Sequence, residues 1–406
     1  MTDGWIETTL GDCLDTVDTR AGLKDPELVL SVTEKRGIVP QTEVFRKRIA
    51  TKSVAKYKVL EPYDIAYNPY LLWTGAVGQW LGALPGVTSP VYECFRAKPE
   101  HEPRFLGLLL ESGLLTPYFD STAIGSIQRR RRTTLPVFRA AKVRMPPLEA
   151  QRRIVDLMEH LDAHLANLQA DVEACERLEG PLFEALVVAS GEEAETVPLG
   201  KVGQFIRGRR FTKDEYVASG LGCIHYGQIH THFRPIARKS LTFLPEESRT
   251  RLRLARPGDV VIAATSEDVD GLGKATVWLG DDDVAVHDDC QIFRHSLEPK
   301  FASYVFISPW FQQQKRQYAG GSKVTRISGA DLAKIEMPIP PIRVQNQIGE
   351  ALGALSDHVD SLRQELAVAQ RLRATILLSL LTRQIEIPES YDTLLDGTEE
   401  QREVAS

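Results

Sequence analysis

The sequence predicts an α+β protein built from two pseudo-repeated α/β units, each followed by a long helix, with the two helices paired along their length. Three observations predict this. A segment recurs 194 positions later without a gap, each copy carries strand-like runs bounded by turn residues, and each copy ends in a heptad-patterned helix.

The repeat is clearest at the helices. "MPPLEAQRRIVDLMEHLDAHLANLQ" from Met145 returns as "PIPPIRVQNQIGEALGALSDHVDSLR" from Pro338, and Pro146, Pro147, Gln151, Ile154, His164 and Leu168 each find an identical residue in the second copy. Upstream the likeness continues at drifting offsets: Leu10-Gly11 with Leu199-Gly200, Pro62 and Asp64 with Pro257 and Asp259, Gly78 with Gly273, Phe95-Arg96 with Phe293-Arg294, and Gly125-Ser126 with Gly321-Ser322. The expected order is a first globular unit over 1–145, a helix over 146–190, a second globular unit over 195–337, a helix over 338–386 and a tail over 387–406. "VYECFRA", "DVVIAAT" and "KATVWL" read as strands, being rich in β-branched and aromatic residues and flanked by Gly, Pro and Asp.

Each helix carries a seam at seven-residue spacing. Ile154, Leu161, Leu168, Cys175 and Leu182 alternate with Met158, Leu165 and Val172, while Ile348, Leu355, Leu362, Ala369 and Ile376 alternate with Leu352, Val359 and Leu366. A period of 3.5 residues is what two helices packed lengthwise require. The Pro-Pro pair ahead of each gives a stiff start, since proline is tolerated in a first turn and not inside. By the same rule, Gly180-Pro181 is expected to end or kink the first helix.

Composition and charge narrow the function. With 406 residues, 43% hydrophobic and 26% charged, the chain has material for two or more cores. It lacks a basic-then-apolar leader and any apolar run long enough to span a bilayer, so a cytoplasmic location is expected. Five scattered cysteines without CxxC spacing read as free thiols. The net charge of −6 is unevenly spread: residues 1–145 hold twenty basic against sixteen acidic residues and 195–336 twenty against seventeen, while 146–194 hold three against eleven and 337–406 six against eleven. Two mildly basic units on acidic helices suit nucleic-acid recognition by the units and not by the helices.

Several motifs compete for a chemical role. Asn68-Pro69-Tyr70 is close to the Asn-Pro-Pro-Tyr loop with which amino-methyltransferases clamp a flipped base, but the second proline is missing and no Gly-rich turn precedes it to admit S-adenosylmethionine. "GLGK" at Gly271 does not complete a P-loop. His160 and His164 read as helix-surface residues. His225, His230 and His232 in "HYGQIHTH" read first as a polar edge facing bases, with Tyr226 and Gln228 among its donors, then as a solvated strand, then as a metal site. Asp281, Asp282, Asp283, Asp288 and Asp289 read as turns.

Basic features stand out more. Ser126, Gln128, Arg129, Arg130, Arg131 and Arg132 follow Gly125, and the matching place in the second unit holds Ser322, Lys323, Thr325 and Arg326. A Gly-Ser loop followed by Lys or Arg offers backbone N–H and hydroxyl contacts to phosphate plus a long donor for a groove. A solvated charge run explains one instance; its recurrence favours a binding role. Arg46, Arg48 and Lys52, and Arg207, Arg209, Arg210 and Lys213, are further DNA-binding candidates.

With these features together, the chain resembles the specificity subunits of type I restriction-modification systems over its whole length. The carriers are the doubled Pro-Pro…Gln…Ile helix start, the Trp5 to Gly11 opening, "YNPYLLWTGAVG", "PGDVVIA" and the Gly-Ser loops. The resemblance implies that each globular unit is a target recognition domain reading one half of a split duplex sequence. It also implies that the helices form an antiparallel coiled coil that separates the domains and docks methyltransferase subunits, in two copies, with restriction (motor/nuclease) subunits as further partners. On that reading the chain is not an enzyme, holds no metal or cofactor, and leaves S-adenosylmethionine to its partner. A helix of 30 to 40 residues is about 45–60 Å long, enough to set two readers about one duplex turn, ~34 Å, apart. A self-sufficient methyltransferase or nuclease, and a plain coiled-coil scaffold, are the competing readings.

Overall fold

A computed structural model describes residues 4–22, 28–45, 54–125, 131–191, 194–320 and 325–392. The chain falls into two compact units, Met1–Ala166 with Ala367–Ser406, and Asn167–Leu366. The division lies inside both long helices, Leu148–Ala189 and Ile342–Leu381, so each unit owns one half of each. Both start directly after their Pro-Pro pair. Among the described residues no helix is long and apolar enough to cross a membrane.

In the first unit a four-stranded antiparallel sheet runs in the order Leu14–Val17, Glu93–Ala97, Ile65–Tyr67, Val77–Gln79. In the second, Gly203–Arg207, Cys290–His295, Val260–Ala263 and Ala275–Trp278 repeat that order, with Ile236–Ala237 added parallel to the last. The strands expected from "VYECFRA", "DVVIAAT" and "KATVWL" are therefore present, and they are central ones. Val260, Ile262, Val277 and Phe293 on one face and Val261 and Ala263 on the other are completely buried, as a sheet covered on both faces demands.

The recurring residues of the sequence prove to be the joints of this scaffold. Asp64 accepts both Arg96 Nε (2.7 Å) and Nη2 (2.8 Å) and caps Glu61 N–H (2.8 Å). Asp259 does the same with Arg294 Nη2 (2.7 Å) and Arg256 N–H (2.9 Å). Buried Gln151 accepts from Glu102 N–H (2.9 Å) and donates to the Pro146 carbonyl (2.8 Å); Gln345 makes the same two bonds to Glu298 N–H (2.9 Å) and the Pro340 carbonyl (2.8 Å). This glutamine fastens a short helix of each unit to the start of the long one. Leu10 N–H donates to the Ala141 carbonyl (3.0 Å) and Leu199 N–H to Ile335 (2.9 Å).

In each unit the long helices run antiparallel and bury their seam with the neighbouring core. In the first unit Ile154 and Met158 share a cluster with Leu377, Leu380 and Leu381, and with Phe105, Leu109 and Phe138 of the globular part. Arg373 grips Asp162 through two bonds (2.7 and 2.8 Å), and Arg153 grips Asp392 (2.7 and 2.6 Å). In the second unit Phe183 and Val187 share a cluster with Val344, Ile348 and Leu352, and Arg363 pairs with Glu176 (2.5 Å). The interleaved positions Met158, Val172, Leu352 and Val359 are the most buried, together with Ile154, Leu168 and Ile348; Leu161, Leu355 and Leu362 are half-buried.

Two expectations are corrected here. The first helix does not end at Gly180-Pro181 but runs on to Ala189. An interior proline costs about 3 kcal/mol, whereas full burial of Phe183 and Val187, each worth about 1.5–3 kcal/mol, offsets it. Gly180 has its own reason, because a Cβ there would stand 2.8 Å from the Ile307 carbonyl. Beyond it the seam shifts by one residue: Leu182 is exposed and Phe183 takes its place.

Candidate nucleic-acid interface

In the second unit the central strand Val260–Ala263 leads into Thr265–Ser266, which pairs antiparallel with Thr325–Arg326. Ile327 N–H donates to the Ala264 carbonyl (3.1 Å), and Gly320 and Arg326 exchange two backbone hydrogen bonds (3.1 and 2.8 Å). The return stem of the Gly-Ser loop is thus pinned to the end of the central strand, and the outgoing stem to the return stem. The first unit repeats the device. Ile124 and Arg132 exchange two backbone bonds (2.9 and 3.0 Å), and Thr133 N–H donates to the Pro69 carbonyl (2.8 Å). Arg132 and Arg326 stand 194 positions apart, the spacing of the helix repeat.

The second unit opens a cleft of about 980 Å³ beside this ladder, lined by Arg207, Arg210, Tyr226, His287, Asp288 and Arg326 among others. Four residues singled out in the sequence, Arg207, Arg210, Tyr226 and Arg326, are brought together here from distant segments. Arg207 is held by Asp288, donating to its carbonyl (2.8 Å) and carboxylate (3.2 Å). Arg210 and Arg326 are exposed. Arg209 donates to the Arg251 carbonyl (2.9 Å), and Lys213 lies exposed at the start of the capped turn Lys213–Glu215.

His287, which the sequence reading passed over, organises the cleft floor. Its Nδ1 is 2.8 Å from the Asp289 carboxylate and its Nε2 is 3.0 Å from the Phe211 carbonyl. An acceptor beside each ring nitrogen favours the charged form of the ring. The bond to Asp289 raises the pKa of His287 despite partial burial. Burial pushes Asp289 the other way, yet His287 holds its carboxyl below the usual range. The signal was an Asp-Asp pair adjoining a histidine, legible only once Phe211 is known to lie opposite.

Other expectations sort as follows. "YGQIHT" is a helix, Tyr226–Thr231, not a strand, so His225, His230 and His232 do not occupy alternate strand positions. Gln228 is 5% exposed, accepts from His225 N–H (3.2 Å) and donates to Thr242 Oγ1 (2.9 Å), so its amide is spent on the fold. Among the described residues no three His, Cys, Asp or Glu side chains come together to hold a metal. Arg46, Arg48, Lys52, Ser126, Gln128, Arg129, Arg130, Ser322 and Lys323 lie outside the described residues.

The Asn-Pro-Tyr loop is braced by its own side chains. Asn68 Oδ1 accepts from Tyr70 N–H (3.0 Å), closing an Asx turn with the carboxamide that a methyltransferase would present to its substrate. Trp73 Nε1 donates to the Tyr70 carbonyl (2.8 Å), and the Arg131 guanidinium lies 4.5 Å above the Trp73 ring while pairing with Asp120 (2.8 Å).

Comparison with known proteins points the same way as this geometry. Residues 191–371 match the type I restriction modification DNA specificity domain. The chain is 21% identical to the type I restriction enzyme MjaVIII specificity subunit of Methanocaldococcus jannaschii, over 95% of this chain and 94% of that one. In fold it is similar to a chain solved for the complex assembly and conformational transition of the type I R-M system (TM-score 0.55, 19% identity, 93% of this chain and 97% of that one). It is likewise similar to the type I restriction-modification S subunit from M. genitalium (TM-score 0.50, 13% identity, 93% and 96%).

Proposed function

Starting from a chain that carries a type I restriction modification DNA specificity domain at 191–371 and resembles type I specificity subunits along its length, we propose that it reads a two-part duplex target. Each globular unit reads one half, and the antiparallel helices dock methyltransferase subunits. The observation that carries the reading is the twice-built loop stem, Ile124/Arg132 on Pro69 and Gly320/Arg326 on Ala264, which delivers basic residues to the same edge of two copies of one sheet. A scaffold has no use for that duplication. A second cofactor-bearing fold is not needed either, because on this reading the methyl-transfer loop is supplied by the partner, while the Asn68 side-chain oxygen here braces its own turn.

Footprinting of the full chain on duplex DNA tests this: protection is expected in two patches, and a single continuous patch or none contradicts it. Labelled S-adenosylmethionine is expected not to bind the chain alone. Truncation after Ile342 removes one helix and strips Leu377, Leu380 and Leu381 from Ile154 and Met158; the product is expected to aggregate or to lose its methyltransferase partner, and unchanged co-purification contradicts the docking role.

A further inference from the structure

The first unit's loop holds one large side chain out of the core. Tyr70 is 42% exposed, and among the described residues its ring and hydroxyl have no partner, although its backbone is fixed from three directions: by Asn68 on its N–H, by Trp73 on its carbonyl, and by Thr133 on the neighbouring Pro69. A flexible loop would fold such a ring inward to bury it. This one is braced so that the ring stays out, next to Pro69, whose carbonyl accepts from Thr133 N–H of the loop stem (2.8 Å). The corresponding place in the second unit holds Thr265, opposite Arg326.

We propose that Tyr70 is a specificity-determining residue of the first unit, its ring packing on the 5-methyl group of one thymine in the major groove, and that Trp73 is its positioning residue. This rests on the reading of residues 1–145 as a half-site reader. The chemistry follows from the groove code: the thymine methyl is the one apolar mark a base pair offers there, and apolar side chains are what meet it. Trp73 links that contact to charge, since one indole holds the Tyr70 carbonyl through Nε1 and the Arg131 guanidinium over its face. Arg131 is held by that ring and by Asp120 (2.8 Å), so Trp73 fixes the loop and its basic return together. The hydrogen bonds that orient Tyr70 are made before DNA arrives, so little ordering remains to be done on binding.

The test uses the full-length chain and the duplex it selects from a random pool, with each thymine replaced singly by deoxyuridine, which lacks only the methyl. Wild type is expected to lose about four-fold in affinity at one position of one half-site, the effect of one buried methyl. Tyr70→Ala is expected to bind the thymine and uracil duplexes equally. Tyr70→Phe, which keeps the ring and serves as the folding control, retains the discrimination. Trp73→Phe keeps a ring beneath Arg131 but drops the bond to the Tyr70 carbonyl; its thymine-to-uracil ratio is expected to fall towards one while the other half-site is read as before. Wild type indifferent to every uracil, or Tyr70→Ala discriminating like wild type, overturns the proposal while leaving two-part reading intact. A pool that yields no two-part target overturns both.

Discussion

The two units share one scaffold and differ at the end that carries the basic loop stems. In the first, the strand after Tyr67 breaks into a hydrogen-bonded turn that presents an aromatic ring, and the basic return is stacked on Trp73. In the second, the same strand continues into a two-residue ladder, Thr265–Ser266 with Thr325–Arg326, beside an open cleft with charged walls. Identity between the copies is kept at buried joints, as at Asp64/Asp259 and Gln151/Gln345, and at the exposed stem pair Arg132/Arg326, while Tyr70 of the first unit gives way to Thr265 in the second. Under the proposed function, such differences are what would let two copies of one fold read two different sequences.

The strongest way to break this comparison is at the joints, where the units should respond alike. Asp64→Ala and Asp259→Ala each strip a buried carboxylate from a guanidinium and a backbone N–H, and each is expected to cost about 2–3 kcal/mol in denaturant unfolding. A large loss in one unit and none in the other denies the shared scaffold. Gln151→Met and Gln345→Met leave a buried N–H and carbonyl unpaired and are expected to cost about 1–3 kcal/mol each.

Smaller effects separate the reading ends. Arg326→Ala is expected to cost about 1–3 kcal/mol of DNA affinity if its guanidinium meets a base edge, with preference relaxed at one position; a phosphate contact instead weakens all sequences alike and lowers the salt slope by about one. The smallest effect is that of pH, and it belongs to the second unit. The folded pKa of His287 is raised by Asp289, so its contribution is fully present below the unfolded value near 6.5 and fades as pH rises through the higher folded value. Stability of this unit, and its attraction for DNA, should decline on that limb, and His287→Asn should flatten it. An unchanged profile in the variant removes His287 from the cleft's electrostatics.

Much of this was legible in the sequence because repetition is a strong signal: three of the central strands, the doubled helix start and the helix pairing all follow from matched positions. What was not legible depended on contacts far apart in the chain. Pro181 reads as a helix stop until Phe183 and Val187 are seen in the core. "HYGQIHTH" reads as a strand because its polar residues alternate, whereas the His225–Gln228 capping bonds make it a helix start. Arg207, Arg210, Tyr226 and Arg326 were each named, but that they share a cleft is set by the sheet, and Gln228, chosen with them, is consumed by Thr242. Asn68-Pro69-Tyr70 has the look of a catalytic clamp because the sequence does not show that Asn68 bonds its own turn.

The central claim is two independent readers on one chain, and selection of bound duplexes from a randomised pool tests it most directly, with wild type, Lys323→Ala and Arg326→Ala compared. The account predicts a two-part target in which substitutions in the second unit alter only one half, leaving the half read by residues 1–145 untouched. A target whose halves change together, or substitutions that leave affinity and preference as they were, would contradict it.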